Sequence, residues 1–338
     1  MLEKAGKKKT IFLDRARNLP YVRITIDAHD RIRVTRGLQE TFYPLGFPLI
    51  VSTNSVAALE AARVEWRAWT PVYAEPPIVL NFEVSEGDEP PPPAEFHAHR
   101  HLFAFVSDAK NLAVCDTQAR SGTAWLTSAA VEDAAFFRYN FLEAMALELI
   151  VSLYLTPFHA ACVARDGRGM LLCGDSGAGK SSLAYGCGRR GWSYLSDDAS
   201  YLIRRCAEER LVLGHPHRVR LRPDAPRLFP ELSSHAPSLR GNGKMSLEIQ
   251  TRTLDSFPTA RSTAVDRFVL LKRTSDGGTR LTRVDKADAR AICEPIFYWW
   301  DAQISAEQQA TFDTLLGASE VLSLEYSDLE KAIDLLEQ

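Results

Sequence analysis

The sequence predicts an α/β protein, with an α/β core over residues 133–338 and an added α+β domain at 1–132. Three observations carry this. A glycine-rich stretch, Gly174-Asp175-Ser176-Gly177-Ala178-Gly179-Lys180-Ser181, lies between a short apolar run and a segment able to open a helix. From about Glu132 onward, apolar runs of strand length alternate with helical runs, the pattern that builds α/β cores. Ahead of Glu132 the apolar residues mostly alternate every second position, interrupted by one helical stretch and by turn-forming clusters.

The glycine-rich stretch fits the phosphate-binding pattern G-x-x-x-x-G-K-[ST]. Gly169-Met170-Leu171-Leu172-Cys173 before it reads as a buried strand, and Ser181-Ser182-Leu183-Ala184-Tyr185-Gly186-Cys187 after it as the start of a helix. Glycines let the backbone turn tightly and aim several N–H groups inward. The helix N-terminus adds partial positive charge where phosphates would sit. Lys180 would reach the outer phosphates and the Ser181 hydroxyl would bind Mg²⁺. The residues of the cradle are then Gly174, Asp175, Ser176, Gly177, Ala178, Gly179, Lys180, Ser181 and Ser182.

In the first third, Tyr21–Ile26 and Arg31–Thr35 read as strands joined by a turn at Asp27-Ala28-His29-Asp30. Ser55–Trp69 has helical spacing, with Asn54 or Ser55 as its cap. Ile78–Val84 is a further strand, and Pro90–Pro93 an extended loop, or a docking peptide for a proline-binding module. His97, His99 and His101 alternate and would share a strand face. They could begin a metal site, but no carboxylate or cysteine is spaced to complete it. Leu102–Val106, Leu112–Val114 and Thr123–Leu126 read as a small antiparallel set.

In the second part, Phe136, Phe137, Phe141, Met145, Leu149 and Leu153 form a helical stripe suited to a core. Phe158–Ala164 reads as a strand, Asp166–Gly169 as a hairpin turn, and the helix after the glycine-rich loop ends near Arg189-Arg190-Gly191. Trp192–Ser196 is a strand closed by Asp197-Asp198. A carboxylate at the end of the strand after a phosphate loop is where NTPases hold or orient Mg²⁺. Arg218, Arg220 and Arg222 share a face and need solvent or an anion. Arg240-Gly241-Asn242-Gly243-Lys244 is either a plain hairpin turn or a basic loop able to close over a phosphoryl group. Phe268–Leu271 is a buried strand, Thr274–Gly278 a turn, Phe297–Trp300 an aromatic cluster for the core or for a base-stacking or lid surface, and Val321–Leu324 with Asp328–Leu336 a final strand and helix.

Composition sets the outer bounds. The 338 residues carry a net charge of −3, with 46% apolar and 25% charged residues. This is ordinary for a globular chain and gives no argument for nucleic-acid or membrane partners. No apolar run has membrane-spanning length, and the basic start lacks the apolar core of a signal peptide. The six cysteines form no C-x-x-C pair. They read as reduced core thiols in a cytoplasmic protein, neither disulfides nor a zinc site.

His159, the loop at 174–181, Arg190-Gly191 and Asp197-Asp198 together resemble the kinase domain of the HPr kinase/phosphorylase family. The likeness covers about residues 157–203. That family phosphorylates a serine of a small carrier protein, and its core is similar to phosphoenolpyruvate carboxykinase. The resemblance implies an HPr-kinase-like, P-loop core, ATP as donor and Mg²⁺ as cofactor. It implies Asp197 as general base, Asp198 as metal ligand, His159 beside the phosphates or Asp197, and Lys180 on the β- and γ-phosphates. The family's Glu-x-Arg-Gly metal signature has no counterpart here, because His217–Pro223 fills its region with basic residues. Its N-terminal domain is not recognisable either. The likeness is therefore to the stand-alone relatives of HPr kinase, some of which act on peptides or small molecules. The acceptor implied is a hydroxyl on a peptide, protein or small molecule. A non-transferring ATP switch and a phosphorylase or phosphatase stay open, as does a homo-oligomer.

Overall fold

The computed structural model describes residues 10–13, 22–26, 32–239, 245–275, 277–293 and 300–338. The chain divides into two compact units, Met1–Ile150 and Val151–Gln338. The helix Glu143–Tyr154 spans the division. Among the described residues, no helix is long and apolar enough to cross a membrane.

The first unit holds a seven-stranded sheet in the order Leu38–Phe42, Leu49–Thr53, Ile78–Ser85, Ser121–Thr127, Leu112–Asp116, Leu102–Val106, Glu95–His99. The last four pair antiparallel; three of them are the expected antiparallel set, and Glu95–His99 joins it at the edge. Ile78–Ser85 runs parallel to both its neighbours. The helix Val56–Trp66 makes the crossover that the first parallel pair needs. Ser55 caps it by accepting the Ala58 N–H, while Asn54 ties to the backbone of Val84 through both ends of its amide. The helix is shorter than the 55–69 expected. Phe137 packs edge-on against Phe82 at 5.2 Å, so the aromatic stripe fills this unit's core. His101 lies in the turn after Glu95–His99 rather than on the strand, which breaks the proposed row of three imidazoles. A separate three-stranded antiparallel sheet joins Thr10–Leu13, Val22–Ile26 and Ile32–Arg36. Its first strand carries no sequence expectation, and the turn expected at 27–30 lies outside the described residues.

The second unit is a mixed α/β fold. Its large sheet runs Leu155–Phe158, Ser200–Ile203, Leu211–Leu213, Ser262–Arg273, Arg168–Cys173, Ala161–Arg165, Ser193–Ser196. Arg168–Cys173 and Glu320–Tyr326 run parallel to the central Ser262–Arg273. Successive side chains of the central strands enter opposite cores, which is why their sequences read as unbroken apolar runs. Leu172 meets Leu183 and Ala184 of the helix Lys180–Arg189 on one side; Leu171 joins Phe268, Phe312 and Leu315 on the other. Both leucines are fully buried, each contributing about 1.5–3 kcal/mol of burial.

Two readings of this unit change. The expected strand Phe158–Ala164 is two strands, broken at His159-Ala160. The chain changes partners there: Leu155–Phe158 pairs with Ser200–Ile203, whereas Ala161–Arg165 pairs with Arg168–Cys173 and Ser193–Ser196. Also, the arginine triplet does not share one strand. Arg218 and Arg220 project from Arg218–Leu221, whose Val219 and Leu221 are core, and Arg222 lies just beyond it. The helix Ala302–Ala318, capped by Asp301 on Gln303 and Ile304, has no counterpart in the sequence reading. Most of the aromatic cluster at Phe297–Trp300 lies outside the described residues.

Candidate active site

The strand Arg168–Cys173 delivers the chain into the glycine-rich loop, and the helix Lys180–Arg189 takes it away. Strand, loop and helix thus stand in the arrangement that the phosphate-binding pattern requires. Two glycines are obligatory. Gly177 and Gly179 have φ of +98° and +99°, a left-handed conformation that side chains resist. Gly179 also has no room for a side chain. A Cβ on Gly177 would stand 3.2 Å from a guanidinium nitrogen of Arg222, and one on Gly179 would overlap the Tyr326 hydroxyl. That hydroxyl donates to the Ala178 carbonyl at 2.7 Å. Tyr326, the last residue of Glu320–Tyr326, therefore holds the loop from a strand far along the chain.

Lys180 is buried and donates to the Gly174 and Asp175 carbonyls at 2.7 and 3.4 Å. Its ammonium is tucked inside its own loop. Burial lowers its pKa from the usual lysine range, and the Asp198 charge works in the opposite direction. Asp175, Ser176 and Gly177 are exposed at the loop's mouth, and Ser182 is half-buried beside Ser181.

Ser181 links the loop to the aspartates: its hydroxyl donates to the backbone carbonyl of Asp197 at 3.2 Å. The strand Ser193–Ser196 is irregular, since Cys162 pairs with Ser196 but Val163 with Tyr194, leaving Leu195 as an extra residue. Such a bulge re-aims the residues that follow it. Asp197 is turned inward, 7% exposed, and Asp198 outward. Asp197 accepts from the Tyr194 hydroxyl on one oxygen and from the Arg220 backbone N–H on the other, both at 3.0 Å. Burial pushes its pKa up to about 6, the nearby Asp198 adding to the rise and Arg220 opposing it. The Asp198 carboxylate lies 3.3 Å from His159 Nδ1, with side chains 42% and 52% exposed respectively. The break between the two strands is what places His159 there. The turn itself is tied down by Ser196 and Ser200, whose hydroxyls meet at 2.6 Å, with Ser200 donating to the Ala160 carbonyl.

The basic residues divide. Arg218 and Arg220 both lie against Glu248 of the neighbouring strand Met245–Gln250, at 3.6 and 3.1 Å. The carboxylate that balances them sits on the strand opposite, across the register pair Arg220 and Glu248. Arg222 is exposed and makes no salt bridge among the described residues. Arg240 and Lys244, expected in a basic loop over the site, lie outside the described residues. The described residues contain no group of three or more His, Cys, Asp or Glu placed to hold a metal ion.

The structure thus draws the loop, Lys180, Ser181, Asp197, Asp198 and His159 into one cluster. Sequence reading missed Tyr194, Glu248 and Tyr326, none of which carries a motif. Only Tyr194, three residues before Asp197 on an identified strand, left any local signal.

No protein-family model matches the chain, and no curated protein matches it. Among solved structures the chain is similar to the Hpr(Ser) kinase/phosphatase from Coxiella burnetii. The match has 12% identity, covers 53% of this chain and 90% of that one, and has a TM-score of 0.27. A likeness that distant leaves the functional reading to the chain's own residues.

Proposed function

We propose that this chain is an ATP- and Mg²⁺-dependent kinase that transfers a phosphoryl group to a serine-like hydroxyl of a peptide, protein or small molecule. One observation carries the reading: the Ser181 hydroxyl at the start of the phosphate-loop helix bonds the backbone of Asp197, a buried carboxylate whose pKa is about 6. That joins a phosphate cradle to a base tuned near neutrality. The loop suits a polyphosphate, because Gly177 and Gly179 carry no side chain that would cover their backbone and the lysine is already inside.

The backbone N–H groups of the loop and the ammonium of Lys180 would hold the donor phosphates. That ammonium has three donors, two of them on the Gly174 and Asp175 carbonyls, which leaves one for a phosphate oxygen. A bound Mg²⁺ would be held by the Ser181 hydroxyl and the Asp198 carboxylate, and would neutralise charge on the outer phosphates. Two protein ligands suit this ion, which usually keeps phosphate oxygens and waters as the rest. Asp197 takes the proton of the acceptor hydroxyl as its oxygen forms a bond to the γ-phosphorus. The bond from that phosphorus to the β-phosphate oxygen breaks, and ADP leaves. Positioning and charge neutralisation supply most of the rate.

A specific observation favours a second arrangement of the same chemistry. Asp197 is 7% exposed, whereas Asp198 is open and paired with His159. In that arrangement the Asp198–His159 pair meets the acceptor and Asp197 holds the turn.

Lys180→Ala tests the common ground. Calorimetry with ATP and Mg²⁺ is expected to give clear binding for the parent and at least roughly tenfold weaker binding for the variant, the loss of one charge-assisted contact. Equal binding by both proteins would sink the phosphate-loop assignment.

A further inference from the structure

We infer that Arg222 is the residue that reads the terminal phosphate of a nucleoside triphosphate, closing the phosphate loop from its open side. The inference rests on the phosphate-loop reading above and adds to it a residue that the motif does not contain.

Three observations converge on Arg222. Its guanidinium lies against the loop: the two terminal nitrogens are 3.2 and 3.8 Å from where a Cβ on Gly177 would stand. Gly177 is exposed, between Ser176 and Ala178, so the guanidinium lies on the solvent-facing surface of the loop. Finally, its charge is not consumed. Arg218 and Arg220, its neighbours in sequence, share Glu248, while Arg222 makes no salt bridge among the described residues and is exposed. The cation stands against a backbone glycine and makes no salt bridge among the described residues. It is well placed for an anion lying on that glycine.

The position also separates it from Lys180. The lysine is buried and held from within by the Gly174 and Asp175 carbonyls. Arg222 stands at the mouth. A polyphosphate threaded through the loop would therefore meet one cation on its inner side and another at its outer end. The planar fork of a guanidinium matches phosphate oxygens in pairs. Cations supplied in this way also stabilise the charge that develops during phosphoryl transfer. Besides its left-handed backbone, Gly177 lets the guanidinium approach closely, since a Cβ there would stand 3.2 Å from it.

The test is calorimetry of the full chain with Mg²⁺ and either ADP or a non-hydrolysable ATP analogue with an imido bridge. Arg222→Ala is expected to weaken the triphosphate analogue roughly tenfold or more, about 1.4 kcal/mol, while ADP binding changes by less than roughly threefold, within the range of a surface substitution. Arg222→Lys should fall between parent and alanine variant, since it keeps the charge and loses the fork. Equal weakening of both nucleotides, or parent-like binding of both, overturns the inference. Lys180→Ala separates it from the underlying reading. If the parent binds both nucleotides, Lys180→Ala binds neither and Arg222→Ala behaves as the parent, only the role of Arg222 falls. If the parent binds neither nucleotide, the phosphate-loop reading falls and takes this inference with it.

Discussion

At the scale of single residues, the sharpest question is what the two adjacent aspartates do. Their presence and place were legible in the sequence, because a strand ending in acid just after a phosphate loop is a local pattern. Their difference was not, because it depends on distant groups: Tyr194 and the Arg220 backbone hold Asp197, and His159 stands beside Asp198. The raised pKa of Asp197 gives a test with a definite sign. Its folded pKa is about 6 against an ordinary value of 3.8, so between those values the folded state binds more protons than the unfolded one. Its contribution to stability therefore falls as pH rises from about 4 to about 6 and is then constant. Asp197→Asn removes that dependence. In thermal denaturation, the melting temperature of the variant relative to the parent should climb across this window and level off above it. A difference that stays flat with pH would mean that Asp197 titrates normally. In phosphoryl transfer, a parent rate rising through about pH 6 should lose that limb in Asp197→Asn, with turnover down roughly 10²-fold or more. Should Asp198→Asn or a His159 variant lose the limb instead, while Asp197→Asn keeps it, the exposed pair is the base.

At the scale of elements, the loop is held by a strand that no motif announces. Tyr326 and Gly179 form a matched pair, and their coupling is measurable. Tyr326→Phe removes one hydrogen bond to the Ala178 carbonyl and should cost about 1 kcal/mol, or about 2–4 °C in melting temperature for a domain of this size. Gly179→Ala should cost more, because a left-handed alanine is strained by about 1–3 kcal/mol and its methyl meets the Tyr326 hydroxyl. In the Gly179→Ala background, Tyr326→Phe is expected to reverse sign and stabilise, since it removes the obstructing oxygen. Thermal melts of the four proteins decide it; additive losses would show that the two residues do not press on each other. The same scale shows why some elements escaped the sequence. The break at His159 follows from a change of strand partner, a tertiary fact hidden inside an apolar run. The helix Ala302–Ala318 hid behind polar residues on its inner face. Gln308 is fully buried there, donating to the Leu155 carbonyl, and a buried glutamine interrupts the apolar stripe by which helices are found.

At the scale of the whole chain, the site belongs to one unit. The loop, Lys180, Asp197, Asp198, His159, Arg222 and Tyr326 all fall within Val151–Gln338. That unit has its own apolar layers on both faces of its central strands. Its first residues are anchored from within, because the Arg204 guanidinium donates to the carbonyls of Val151, Ser152 and Leu155 at 2.7 to 3.0 Å. A unit with its own core and its own anchored entry has what independent folding requires. The fragment Val151–Gln338 is therefore expected to give a cooperative melt and to bind ATP with Mg²⁺ within roughly threefold of the full chain, the span of neutral changes. Circular dichroism and calorimetry measure the two properties separately. A fragment that melts without cooperativity would show that the first unit is needed for folding. One that folds but has lost nucleotide would place part of the site outside Val151–Gln338. The acceptor adds a further division. If the fragment keeps its nucleotide affinity but no longer phosphorylates an acceptor used by the full chain, recognition of that acceptor lies in Met1–Ile150. The seven-stranded sheet there, with Trp125 and Val114 exposed on adjacent strands, is then the surface on which to look for it.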